Sequence, residues 1–196
     1  IEFAMGNHGS LSGHPSLRVA LLDWLGETDP RQAAAVAKQV LAVPTAADEW
    51  AVCLRNYARA NSGPESNGYL RDKAEELIRN PQWRINPSVG FFESFDVLVH
   101  TRATESTGLL ASLVADRTPE GKALAHASFL TLDRLAIHEP AAMIQQLASR
   151  SDLANARPEM VANIIARADL RDATQQQLVR DYLLDPARTS VELAAF

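Results

Sequence analysis

The sequence predicts an all-α protein, and three observations lead to that prediction. Ala and Leu dominate the composition, and apolar side chains recur at the three- and four-residue spacing of amphipathic helices. No segment shows the alternation of apolar and polar residues that is typical of a β-strand. Nearly every helical segment opens at a proline or at a side chain that can cap a helix. The length of 196 residues is enough for one domain that buries roughly 70% of its unfolded surface.

The segment Thr118–His138 is predicted to be the central helix of this fold. Thr118 can cap it, and Pro119 suits its first turn. The stretch Ala123–Leu132 contains a single ionisable side chain, and its apolar residues are distributed around the whole helix. Because a helix that is apolar on all sides is normally buried, we expect other helices to enclose it completely and Leu130 to be a core residue.

Residues 1–13 are predicted to be a vector-encoded N-terminal extension. Three short stretches in this segment are typical of cloning sites: Glu2-Phe3, Ala4-Met5-Gly6 and Gly9-Ser10. Residues 14–196 are then assigned to a single all-helical domain. A capped helix that begins at Thr189 stops after about two turns, so we expect this domain to be a fragment of a longer protein.

The helices are predicted from their N-terminal signals and apolar spacing. Those of the first half begin near Pro15, Pro30, Ala46, Glu65 and Ser88. Those of the second half begin near Ser106, Thr118, Pro140, Pro158, Asp172 and Thr189. In the first helix the expected buried face consists of Leu17, Leu21, Leu22 and Leu25, with Trp24 beside it and Gly26 at the helix end. Two prolines make the segment from Asn80 to Ser88 an irregular connection in this prediction.

Helix pairs recur at an interval of about 40 residues, which is a typical length for a two-helix repeat. Pro119 and Pro158 each head such a pair. The helices that Pro15 and Pro158 open also share their apolar positions, with Leu17, Leu21, Leu22 and Leu25 corresponding to Met160, Ile164, Ile165 and Ala168. This pattern resembles the HEAT family of α-solenoids. The resemblance implies stacked antiparallel helix pairs in a right-handed superhelix, and a non-repeating helical bundle is the alternative.

Charge and cysteine content limit the possible partners and the cellular setting. The net charge is −5 with acids and bases interspersed, so nucleic acid is a disfavoured partner. Cys53 is the only cysteine, which rules out an intrachain disulfide, and we expect it to be a core residue. No apolar run reaches the ~20 residues of a membrane span. The sequence therefore predicts a soluble protein without membrane insertion, for which a cytoplasmic location is slightly favoured over a periplasmic one.

No pattern of catalytic or cofactor-binding residues emerges from the sequence. His100, His126 and His138 lack the i, i+4 spacing of a zinc-protease motif, and His126 is expected to be an interior, hydrogen-bonded histidine. The glycines are isolated rather than grouped as in a phosphate loop, and no serine lies in a nucleophile-elbow motif. We therefore predict a protein that is not an enzyme and that has no metal or cofactor.

Trp83, Arg84 and Ile85, followed by Phe91, form the candidate protein interface. Trp, Arg and Phe are enriched where proteins bind each other, and irregular segments on rigid scaffolds often carry function. The favoured interpretation is a non-catalytic helical-repeat scaffold whose partner is another protein or the rest of its own parent chain.

Two other functions remain open from the sequence. One is a helical ligand-sensing domain with an apolar pocket between its helices, for which the candidate lining residues are Phe91, Phe95, Phe129 and Met143. The other is a nucleic-acid-acting enzyme of the HEAT-like type, which the acidic composition disfavours.

Overall fold

The computed structural model describes residues 2–6, 11–116, 118–119, 121–148 and 150–196. The described residues are 74% helical and include one two-stranded antiparallel sheet, which confirms the all-α prediction. Residues 1 and 7–10 of the predicted extension lie outside the described ranges. No helix among the described residues combines the length and the apolar character needed to cross a bilayer.

Contacts divide the chain into two compact units, residues 1–101 and residues 102–196. In chain order the elements of the first unit are β1 (Ala4–Met5), β2 (Leu11–Gly13), α1 (Leu17–Thr28), α2 (Pro30–Val40), α3 (Ala47–Ala60), α4 (Pro64–Arg79), α5 (Pro81–Ile85) and α6 (Val89–His100). The short helix α5 corrects the prediction of an irregular connection. Asn80 stays extended before Pro81, as expected for a residue before proline, but its side chain accepts a hydrogen bond from the Gln82 amide (3.0 Å) and so caps a helical turn.

Helix α3 is the central element of the first unit. It packs against α1, α2, α4 and α6, and nine of its 14 residues are buried. Trp50 is fully buried near its start, and its Nε1 donates a hydrogen bond to the Val43 carbonyl oxygen (3.0 Å). In the first unit, the helix that other helices surround is therefore α3. The sequence assigned such a central position to Thr118–His138.

Asp48 fixes the start of α6 relative to α3. Its Oδ1 accepts hydrogen bonds from the Ser88 hydroxyl (2.6 Å) and the Gly90 amide (3.1 Å). A side chain at position 90 would place its Cβ 2.4 Å from this oxygen, so the approach requires glycine. The N-cap residue of α3 is Ala46, whose side chain cannot cap the helix. The two helices form the walls of a groove described below.

The second unit contains seven α-helices among its described residues. In chain order they are α7 (Thr107–Ala115), α8 (Lys122–His138), α9 (Pro140–Leu147), α10 (Ser151–Ala156), α11 (Pro158–Ile165), α12 (Ala173–Leu184) and α13 (Ser190–Ala195), and a 3₁₀ turn at Thr104–Ser106 precedes them. The sequence did not predict α10. Helix α11 packs against α9, α10 and α13, and five of its eight residues are buried.

Helix α8 is buried on one side only, so the prediction of a helix enclosed on every side is wrong. It begins at Lys122, because Thr118 instead makes a local turn with Asp116 (hydroxyl to Oδ1, 2.7 Å). Leu130 is 40% exposed, and His126 also lies on the solvent side. The buried face combines three leucines with four small or hydroxyl side chains: Leu124, Ala125, Ser128, Thr131, Leu132, Leu135 and Ala136. Two further large apolar residues, Leu130 and Ile137, lie on the exposed side.

Candidate functional site

The prediction of a buried leucine face on α1 is only partly right: Leu22 is buried, whereas Leu17 and Leu21 face solvent together with Trp24. Leu17, Leu21 and Trp24 are 75%, 54% and 63% exposed. Their spacing of four and three residues places them on one face of the helix. We call this surface the α1 stripe. An exposed row of large apolar side chains that includes a tryptophan is typical of a surface that binds another protein.

Polar contacts from α3 hold α1 in this rotation. The Asp23 carboxylate accepts a hydrogen bond from Arg55 Nη2 (2.5 Å), and Asn56 Nδ2 donates to the Leu22 carbonyl oxygen (2.8 Å). Gly26 lies inside α1 rather than at its end, since a Cβ there would be 2.3 Å from Asn56 Oδ1. The buried side of α1 thus carries Asp23 and Gly26 as well as Val19 and Leu22, and Leu17 and Leu21 lie on the exposed side.

Two further ion pairs join α1 to α3. Arg18 Nη2 lies 3.1 Å from Glu49 Oε2, and Glu49 is almost completely buried. At the other end of the helix, Arg59 Nη1 lies 2.6 Å from Glu27 Oε1. Together with the Asp23 contacts they connect the helices along their length. The α1 stripe is therefore presented on a fixed helix.

The ionisation of Asp23 depends on its partners. Burial alone would raise the pKa of this carboxyl group, but hydrogen bonds from His14 (Nε2 to Oδ2, 2.8 Å) and Arg55, with the attraction of their charges, lower the pKa below its usual value. No local pattern in the sequence predicts this cluster, because its members are far apart in the chain. It joins the segment before α1 to α3, which is a structural role.

The predicted interface residues are divided between surface and core. Ile85 is exposed, while Trp83 and Arg84 are half-buried. The Trp83 ring packs edge-on against Trp50, with 5.2 Å between the ring centroids. Phe91 is fully buried, so it is a core residue rather than part of a surface. A binding role for Trp83, Arg84 and Ile85 stays a prediction.

The four residues of the predicted ligand pocket belong to different units. Phe91 and Phe95 lie in the first unit, with 6.0 Å between their ring centroids, whereas Phe129 and Met143 lie in the second. Two cavities in the described residues have other linings. One, of about 620 Å³, lies in the second unit beside Asp116 and Lys122. The other lies between α3 and α6.

The cavity between α3 and α6 is a groove of about 340 Å³, which we call the α3–α6 groove. Residues of the N-terminal segment also line this groove, and the side chain of Phe3 is only 6% exposed. The sequence-based interpretation excluded residues 1–13 and therefore missed this groove. That residues 1–13 are a vector-encoded extension stays a prediction.

Groups that could carry catalysis are buried or scattered in the described residues. Burial raises the pKa of the Cys53 thiol to about 12, so the thiol is protonated at neutral pH, and its predicted core position is confirmed. His100, His126 and His138 are all exposed, which makes the prediction of an interior His126 wrong. In the part of the chain that the structure describes, no three His, Cys, Asp or Glu side chains are grouped as metal ligands are.

A polar cluster ties α12 to α13 at the end of the second unit. The Glu192 carboxylate accepts hydrogen bonds from Tyr182 Oη (3.1 Å), Arg188 Nη1 (3.0 Å) and the Thr189 amide (2.8 Å). Burial, together with the negative charge of Glu192, raises the pKa of Tyr182 to about 12. Thr189 caps α13, as the sequence predicts, and the cluster has a structural role.

Comparison of the chain with protein-family models, with curated proteins and with solved structures found no match. The α1 stripe and the α3–α6 groove are the features of the structure that point to a function.

Proposed function

We propose that this protein is a non-catalytic protein-interaction module, in which the α1 stripe is the principal contact surface. The observation that carries the proposal is the exposure of Leu17, Leu21 and Trp24 on a helix whose opposite face is held by α3. Tryptophan at the centre of an interface contributes strongly to binding, and a fixed helix loses little conformational freedom when it binds. The partner is another protein or a further part of the parent chain.

A HEAT-like arrangement of helix pairs is the scaffold in this proposal. Two features support it: α1 and α2 are joined by Asp29 alone, and α8 and α9 are joined by Glu139 alone, and each pair is in contact. Short connections of this kind are typical of helical repeats, in which each repeat contacts its neighbours and presents a surface to partners.

The test compares two surfaces on otherwise identical chains. The double variant Leu21→Glu/Trp24→Glu introduces negative charge into the α1 stripe. The variant Ile85→Glu makes the same kind of change in the interface that the sequence predicts. Each immobilised chain is exposed to a lysate of the source cells, and retained proteins are quantified by mass spectrometry. We expect at least one protein to be retained by the unaltered chain and by Ile85→Glu, and its retention to fall roughly tenfold in the double variant.

The double variant should keep the far-UV circular dichroism and melting temperature of the unaltered chain, since both side chains are exposed. If all three chains retain the same proteins, the α1 stripe is not the contact surface. If Ile85→Glu alone loses them, the interface lies at α5 instead.

A further inference from the structure

The α3–α6 groove has an apolar interior and charged edges. Its apolar walls come from α3 and α6, and they are formed by Ala51, Val52, Ala58 and Val97. Charged side chains of both signs line the same cavity, with Arg55 and Arg59 on α3 and Glu93 and Asp96 on α6. Apolar walls with a few polar groups are typical of binding sites for ligands and peptides.

An extended segment of the chain occupies this groove. Phe3 is buried there, and Met5 lines the same cavity. The two side chains lie on the same side because alternate residues of an extended chain share a face. The segment is held in this form by pairing of β1 with β2, in which Ala4 lies opposite Gly13 and Met5 opposite Leu11.

The segment does not fill the groove. About 340 Å³ remains beside Phe3 and Met5, which is within the size range of ligand-binding pockets. Small side chains on α3, Ala51 and Ala58, leave room along one wall. A longer apolar side chain, or a segment that runs further along the groove, would therefore bury more apolar surface than residues 2–6 do.

We propose that the α3–α6 groove is a binding site for an extended polypeptide segment that carries an aromatic residue and, two positions later, an unbranched apolar residue. The buried Phe3 and the neighbouring Met5 define this chemistry, and residues 2–6 are an intramolecular occupant that such a segment displaces. The chemistry of the groove is the same whether residues 1–13 are vector-encoded or native. The site is separate from the α1 stripe, so it does not depend on the proposed function.

An attached occupant competes strongly with a free peptide. A short linker gives the occupant an effective concentration in the mM range, which weakens the apparent affinity of the groove for any segment added in solution. Removing the Phe3 ring from the full chain should therefore unmask the groove without altering its walls.

The test uses a peptide with the sequence Glu-Phe-Ala-Met, which carries fluorescein on its N-terminus through a flexible linker and is amidated at its C-terminus, and fluorescence anisotropy is the readout. We expect the full chain with Phe3→Ala to bind this peptide roughly tenfold or more tightly than the unaltered chain. A peptide with Ala in place of Phe should not bind the Phe3→Ala chain. Equal affinity of both chains, or no binding to either, would overturn the proposal.

Two charge substitutions on α6 provide a matched pair. Val97 lines the groove and Val99 does not, although both are half-buried on the same helix. In the Phe3→Ala chain, Val97→Arg should abolish peptide binding, whereas Val99→Arg should preserve it. The reverse result, or equal loss in both, would contradict the assigned site. The substitutions Leu21→Glu/Trp24→Glu should leave peptide binding unchanged, which separates this site from the α1 stripe.

Photo-crosslinking tests the location without any variant that affects folding. The same peptide, with benzoylphenylalanine in place of its Phe, is irradiated with the unaltered chain at saturating concentration. Crosslinks should map to α3 and α6 by peptide mass spectrometry. Crosslinks confined to other helices would overturn the proposal.

Discussion

Leu130 and Leu132 lie two positions apart on α8 and have opposite environments. Leu132 is fully buried, whereas Leu130 is 40% exposed. In a helix, residues two apart lie on nearly opposite sides, so one leucine reaches the core when the other reaches solvent. The apolar nature of a side chain therefore does not settle its contribution to stability on this helix.

This contrast leads to a matched stability prediction. Leu132→Ala should lower the free energy of unfolding by about 2–5 kcal/mol, because it leaves a cavity in the packed face of α8. Leu130→Ala should lower the free energy of unfolding by less than about 1 kcal/mol. The core position that the sequence predicted for Leu130 would make the two losses equal. Urea denaturation followed by circular dichroism measures both. Equal losses in the two variants would mean that α8 is enclosed after all.

Helix α1 illustrates how a contact between elements decides which face is buried. Its inward face carries Asp23, which is bound by Arg55 on α3, and Gly26, which allows Asn56 to approach. A buried carboxylate is stable only when it is paired and hydrogen-bonded, so Arg55 determines the side of α1 that can be buried. Of the leucines in the sequence pattern, Leu17 and Leu21 lie outside, whereas Leu22 is buried.

The pairing of Asp23 makes the junction between α1 and α3 sensitive to pH. Because the pKa of Asp23 is lowered in the folded protein, the unfolded chain binds more protons as the pH falls. The stabilisation is present above the ordinary carboxyl pKa of about 3.9 and is lost as the pH falls through the lowered value. Asp23→Asn should therefore destabilise the protein by about 1.5–3 kcal/mol at pH 7, and by less near pH 3.

Asn56→Ala is the control for this prediction, because it removes another polar contact between the same two helices without removing a titratable group. Its cost should be the same at both pH values. Urea denaturation at pH 7 and at pH 3 measures how much each of the two variants lowers the free energy of unfolding at each pH. A cost of Asp23→Asn that does not change with pH would contradict the role assigned to the ion pair.

At the scale of the whole molecule, the net charge of −5 bears on the possible partners. Nucleic-acid binding releases counterions from phosphates and depends on clustered basic residues. Several arginines of the described residues are already paired with acids, for example Arg55 with Asp23 and Arg167 with Asp133 (2.6 Å). These pairs reduce the positive charge that is available for phosphate groups.

We therefore expect no binding of a labelled DNA duplex of about 20 base pairs in fluorescence anisotropy titrations. Non-specific binders have dissociation constants of about 10⁻⁴–10⁻⁶ M at physiological salt, so titration to about 10⁻⁴ M protein covers that range. The same titration at about 50 mM salt is the control, because electrostatic binding is strongest there. Binding that weakens steeply as salt increases would restore the nucleic-acid-acting alternative.

The candidate sites could be predicted from the sequence only in part. Leu17 and Leu21 were assigned to a buried apolar face with Leu22 and Leu25, and Trp24 was placed beside it; of these, Leu17, Leu21 and Trp24 are exposed. The α3–α6 groove was missed because the segment with Phe3 was set aside as an extension. An interface was predicted at Trp83 and Arg84, but the Trp83 ring already packs on Trp50 within the protein.

What the sequence by itself determined is the helical class and most helix starts. Caps are local: Asp29 accepts a hydrogen bond from the Gln32 amide (3.0 Å), and Asp172 accepts hydrogen bonds from the Thr174 and Gln175 amides. Such contacts span two or three residues, so they can be read from adjacent positions.

The tertiary structure alone decided which face of each helix is buried and which helix is central. The contacts that fix α1 on α3 join residues 32 and 34 positions apart, from Asp23 to Arg55 and from Leu22 to Asn56. Apolar periodicity identifies a helix but not its neighbours. Burial depends on which distant side chains meet it. On α1, the Asp23–Arg55 ion pair and the approach of Asn56 to Gly26 lie on the buried side, and Leu17 and Leu21 are left exposed.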